Sequence, residues 1–118
     1  MIRAMNAADH RQFPSTDPAS AATMDALLLD VRDIEEWMAG HAPTADHIPM
    51  NELPERLRDL PRGSTIVCVC RSGGRSRRVT TWLRSQGFDA VDLTGGMVAW
   101  AAAGLPVVNH AGHPGTLI

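Results

Sequence analysis

Two stretches of this chain, Ala26-Leu27-Leu28-Leu29-Asp30-Val31 and Thr65-Ile66-Val67-Cys68-Val69, are apolar runs without polar alternation. A strand with one face in water needs a polar residue at every second position, so runs of this kind predict strands covered on both faces, as in a parallel sheet. Ala90 to Leu93 reads as a further strand, Arg11 to Pro14 as a short edge strand, and His47-Ile48-Pro49 as a brief strand or extended connection. Pro106-Val107-Val108 is the last ordered extension.

Helical signals fall between these runs. Asp17-Pro18 can cap a helix, and Asp33 to Ala39 predicts another that Gly40 stops. Leu53, Leu57 and Leu60 mark the buried face of a third, ended by Pro61 and Gly63. Val79, Trp82 and Leu83 give the inward face of a fourth, which Gly87 closes, and Met97 to Ala102 follows Gly95-Gly96 as a fifth. Short strands alternating with helices predict an α/β sheet with helices on both faces, and ligands in such sheets sit beyond the carboxyl ends of the strands. The expected organisation is a flexible leader over 1–10, one domain over 11–108, and a mobile glycine- and proline-bearing tail over 109–118.

Composition narrows the setting. The formal net charge of −2 argues against a general nucleic-acid binder. The first 25 residues carry Asp9, Asp17 and Asp25 and no long apolar core, so neither a secretory signal nor a membrane span is expected. Cys68 and Cys70 are too close along a strand for an ordinary disulfide, which points to a reducing compartment and the cytoplasm. There is no lysine, and five of the eleven cationic side chains, Arg71, Arg75, Arg77, Arg78 and Arg84, crowd one region. That region would draw an anionic substrate, although Arg77, Arg78 and Arg84 read equally as a solvated helix face.

The concentration of positive charge coincides with the chain's most reactive candidate. Cys70 stands at a strand end and opens the run Cys70-Arg71-Ser72-Gly73-Gly74-Arg75-Ser76. Only a thiolate is a good nucleophile, and free cysteine, with a pKa of about 8.5, is roughly 3% ionised at pH 7. Loop amides, the positive end of the next helix and the guanidinium groups of Arg71 and Arg75 all favour the negative sulfur. Gly73 and Gly74 allow the curl, while Ser76 suits a helix cap whose hydroxyl could also reach the sulfur. Cys68 reads as a buried structural thiol, His41 as a packed structural histidine, and Trp37, Trp82 and Trp100 as core. His110 and His113 lack further ligands, so no metal site and no cofactor are expected.

Taken together, Leu29-Asp30-Val31-Arg32, Glu35-Glu36-Trp37, Gly40-His41-Ala42-Pro43, Ile48-Pro49, the Cys70–Ser76 run, Gly95-Gly96-Met97 with Trp100, and Gly104-Leu105-Pro106-Val107 resemble the single-domain rhodaneses, sulfurtransferases that carry a persulfide on one cysteine. The resemblance implies a three-layer sandwich, a mostly parallel five-stranded sheet with helices on both faces. It implies that Asp30 and Arg32 support the site, with Arg32 paired to Glu36. It also implies transfer of a sulfane sulfur from a small anionic donor such as thiosulfate to cyanide, a thiol or a protein acceptor, with no nucleic-acid or membrane partner. A non-enzymatic persulfide carrier or redox sensor would use the same thiol. Phosphatase or arsenate reductase chemistry fits less well: such enzymes place arginine six residues after the cysteine, and here that position is Ser76 and the fifth is Arg75.

Overall fold

The structure is a computed structural model, and it describes residues 12–118. The expected leader, together with Arg11 of the expected first strand, lies outside the described residues. In chain order the elements are β1 (Ser15–Thr16), α1 (Pro18–Thr23), β2 (Ala26–Asp30), α2 (Ile34–Ala39), β3 (Asp46–His47), a 3-10 segment (Met50–Asp59), β4 (Thr65–Val69), α3 (Gly74–Ser85), β5 (Asp89–Leu93) and α4 (Gly96–Ala102). The strands form one sheet in the order β1-β5-β4-β2-β3, and every neighbouring pair is parallel.

The two apolar runs are the inner strands β2 and β4, paired from Ala26 with Thr65 to Asp30 with Val69. Their side chains divide between two cores with period two. Leu27, Leu29, Ile66, Cys68 and Cys70 pack with Leu53, Leu57, Val79, Trp82 and Leu83 on one face, and Ala26, Leu28, Val67 and Val69 pack with Met97 and Trp100 on the other. This two-sided burial is why neither strand shows polar alternation. The three layers are therefore α3 with the 3-10 segment, the sheet, and α1 with α4.

Several local expectations change on folding. The first strand is Ser15–Thr16 rather than 11–14, and Pro14 instead gives its carbonyl to the Asp92 amide. The leucine-patterned helix is a 3-10 segment with Pro54 inside it and a break at Arg56. Proline supplies no amide and crowds the preceding turn, so an α-helix does not propagate through it, although Leu53 and Leu60 are still buried. Residues 109–118, expected to be mobile, are hydrogen-bonded back to the domain. The His110 amide donates to the Met38 carbonyl, Gly115 to Val107 and Thr116 to Ala39, and Leu117 joins the second core. Composition carries no trace of such backbone pairing.

Candidate functional site

Cys70 directly follows β4 at its carboxyl end, and its side chain is 1% exposed. Of the seven residues expected to form a loop, only Cys70, Arg71, Ser72 and Gly73 do so; Gly74, Arg75 and Ser76 are the first turn of α3. The first amides of a helix have no partner within it, so this turn offers N–H groups to whatever lies before it. Gly73 precedes the helix with φ 126°, a conformation that strains any residue with a Cβ, and its amide donates to Cys70 Sγ at 3.1 Å. Ser76 does not cap the helix. It lies in the first turn, and its Oγ points inward to within 3.3 Å of Cys70 Sγ.

The loop is also held from below. Met97 and Val98, at the start of α4, donate their amides to the carbonyls of Cys70 (2.8 Å) and Arg71 (3.0 Å). Gly96 makes that approach possible, because a Cβ there would stand 2.5 Å from both carbonyl oxygens. Burial pushes the Cys70 thiol up, but hydrogen bonds from the Ser76 hydroxyl and from the amides of Ser76, Gly73 and Ser72 outweigh it, so the pKa lies below that of ordinary cysteine. Cys68, two residues earlier and fully buried, is pushed up to about 12 by burial, which the Thr80 hydroxyl offsets only in part.

The arginines separate into different roles. Arg71 is exposed and its Nε donates to the Ile118 carbonyl at 3.0 Å. Arg75 forms a two-pronged pair with Glu36, Nη1 to Oε1 at 2.7 Å and Nη2 to Oε2 at 2.9 Å, while lying close enough to Cys70 for the two charges to interact. Arg77 stacks over Phe13, with its guanidinium carbon 3.9 Å from the ring centroid, and Arg84 donates to the Ala90 carbonyl. Arg32 is not paired to Glu36. It is fully buried, binds both oxygens of Asp30 through Nε and Nη2, and donates to the Gly40 carbonyl at 2.7 Å. Asp30 and Arg32 thus fix the end of β2 to the end of α2, and Glu36 on α2 in turn holds Arg75. Trp37 on the same helix is stacked between His41, 3.6 Å away, and His47, 4.9 Å away.

Sequence reasoning gave one site residue, Glu36, the wrong partner and missed another, Asp92. Glu36 was legible in part, since Asp33-x-x-Glu36 is a capping-box pattern; the Glu36 carboxylate accepts the Asp33 amide and still binds Arg75. Asp92, 2% exposed on β5, lies 2.5 Å from Ser76 Oγ. An acidic residue inside the otherwise apolar run Ala90-Val91-Asp92-Leu93 was the available signal.

Comparison with known proteins bears on the family and the fold. The family model described as "Rhodanese-like domain" matches residues 16–103. A sulfurtransferase of Allochromatium vinosum is 41% identical over 93 residues, covering 78% of this chain and 87% of its own. Thiosulfate sulfurtransferase 16 of Arabidopsis thaliana, a chloroplastic protein, is 37% identical over 117 residues, covering 84% of this chain and 97% of its own. The crystal structure of a rhodanese-related protein from Thermoplasma volcanium superposes with a TM-score of 0.76 at 32% identity, over 81% of this chain and 98% of that one. The chain belongs to the rhodanese-like sulfurtransferase family.

Proposed function

We propose that Cys70 accepts a sulfane sulfur from a small anionic donor such as thiosulfate and passes it to a thiophilic acceptor, cyanide, a thiol or a protein. In the first displacement the Cys70 thiolate attacks the outer sulfur of the donor. The donor S–S bond breaks, its electron pair leaves with sulfite, and a cysteine persulfide remains. In the second, the acceptor attacks the outer persulfide sulfur and the bond pair returns to Cys70. No external oxidant or reductant is needed, and ping-pong kinetics are expected.

The observation that carries this reading is a sulfur at a strand end that receives the Gly73 amide at 3.1 Å and faces the Ser76 hydroxyl at 3.3 Å, with its pKa lowered. Main-chain donors that steady a thiolate also steady an anionic persulfide, as an oxyanion hole steadies oxygen. Arg71 and Arg75 would offset the repulsion between thiolate and anionic donor. A phosphatase reading is less well supported, because the Arg75 fork, which would have to clamp phosphoryl oxygens, is already occupied by both oxygens of Glu36.

Intact-protein mass spectrometry after incubation with thiosulfate tests the proposal. A gain of about 32 Da, mapping to Cys70 and removed by cyanide, is the expected result. Cys70→Ala should abolish the adduct and Cys68→Ala should keep it. Absence of the adduct with every sulfane donor offered would refute the reading. If the adduct forms but moves only to a protein thiol and never to cyanide or small thiols, the carrier role replaces the enzymatic one.

A further inference from the structure

Ser76 Oγ stands 2.5 Å from Asp92 Oδ1, 3.3 Å from Cys70 Sγ and 3.3 Å from the Gly73 carbonyl oxygen. A hydroxyl carries one proton and cannot donate to all three. With Asp92 ionised, the short contact takes that proton, and Ser76 turns only an oxygen lone pair toward the sulfur, which suits S–H. With Asp92 protonated, the carboxyl donates to Ser76 Oγ, and the Ser76 proton can turn to the sulfur, which suits S⁻. The two arrangements contain the same number of protons. One becomes the other when the thiol proton passes to Ser76 Oγ and the Ser76 proton passes to Asp92 Oδ1, so Cys70 ionises with no proton leaving the protein.

The surroundings decide which arrangement is lower. The sulfur has the Gly73 amide and the first turn of α3 in front of it. Among the described residues, Ser76 is the one hydrogen-bond partner of the Asp92 side chain, which is 2% exposed. The donors around the sulfur and the burial of the carboxyl both shift negative charge toward sulfur. We propose that Asp92 is a positioning residue that keeps the proton released by Cys70, through Ser76, so that thiolate and neutral carboxyl form the resting pair.

The titration tendencies of the two groups support this geometry. Burial raises Asp92 above the ordinary carboxylate range, against the Ser76 hydrogen bond and the Arg77 charge, whereas Cys70 is lowered. The groups facing Asp92 are few. On β4 its register partner is Cys68, whose pKa of about 12 keeps it neutral; on α3 there are Ser76 and Arg77; on β1 the register partner is the uncharged Ser15. The pair titrates in coupled steps that belong to both groups together.

The inference deepens the sulfur-transfer reading, since it concerns the same sulfur, but its test uses no sulfur donor. In the Cys68→Ala background, the Cys70 thiolate is followed against pH by the rate of iodoacetamide alkylation. Over the same range, the protonated-carboxyl C=O stretch of Asp92 is followed by infrared difference between the parent and Asp92→Asn. The expected order inverts that of ordinary groups: the carboxyl band still stands at the pH where Cys70 is half ionised. Ser76→Ala should raise the Cys70 pKa by about one unit, or about tenfold slower alkylation well below that pKa. Asp92→Asn, whose amide can donate to Ser76 as the neutral acid does, should keep the neutral-pH rate within about twofold. Loss of the carboxyl band before the thiolate forms would overturn the proposal, as would slowing by Asp92→Asn equal to that of Ser76→Ala. Persulfide formation, measured separately, reports on the sulfur-transfer reading whichever way this test falls.

Discussion

Replacing Glu36 by glutamine tests the pair that holds Arg75 beside the sulfur. The two side chains meet through two charge-assisted bonds at 2.7 and 2.9 Å, and they are 15% and 28% exposed. Exposed pairs contribute about 0–1 kcal/mol, whereas breaking a buried one costs about 3–5 kcal/mol. This half-buried pair lies between, and glutamine keeps one acceptor oxygen, so Glu36→Gln should cost about 1–2 kcal/mol at pH 7, a fall in Tm of about 4–8 °C for a domain of this size. The hydrogen bond from Arg75 lowers the Glu36 pKa below the ordinary glutamate value, outweighing the opposing effect of burial. A lowered folded-state pKa means that the contribution is fully present above the unfolded value, about 4.3, and is lost as pH falls through the folded one. Parent and variant should therefore differ at neutral pH and converge in acid. Urea denaturation of both, with Arg75→Gln and the double variant completing a cycle, measures the coupling directly. A coupling energy near zero at pH 7, or a gap that persists unchanged below the Glu36 titration, would refute the reasoning.

Three further outcomes follow from the geometry. Gly96→Ala places a Cβ 2.5 Å from the carbonyl oxygens of Cys70 and Arg71 at a φ of 60°, so it should destabilise by about 3 kcal/mol and slow persulfide formation; parent-like denaturation would show that the loop shifts without cost. Cys68→Ala should leave one rapidly alkylated thiol at pH 8 and Cys70→Ala none, because burial holds Cys68 near 12; rapid labelling of the latter variant would contradict that burial. Arg32→Met strands the fully buried carboxylate of Asp30 and should cost about 3–5 kcal/mol, part of which Asp30→Asn should restore in the double variant; a single variant as stable as the parent in urea would count against the pair.

The sequence alone was enough for the elements whose signal is local. Two-sided burial makes the runs Ala26–Asp30 and Thr65–Val69 largely apolar, so both inner strands were readable, and so was the position of Cys70 at the carboxyl end of the second. Asp33 and Gly40 bracket α2 within a few residues of chain, which is the range over which caps act. What only the tertiary structure decided is pairing across distance. Arg75 meets a carboxylate 39 positions away, on α2 rather than in the loop, and Arg32 turns to Asp30 instead of Glu36. Pro54 holds a leucine-patterned stretch in 3-10 geometry, and backbone bonds to Met38, Ala39 and Val107 tie down residues 109–118. Ser76 is not a cap because α3 already begins at Gly74, and from that first turn its hydroxyl lies 2.5 Å from Asp92 on β5. A carboxylate in a strand has no periodic or capping signature that names its partner. Strand order and register alone placed that acid beside the Ser76 hydroxyl, and burial then raised its pKa.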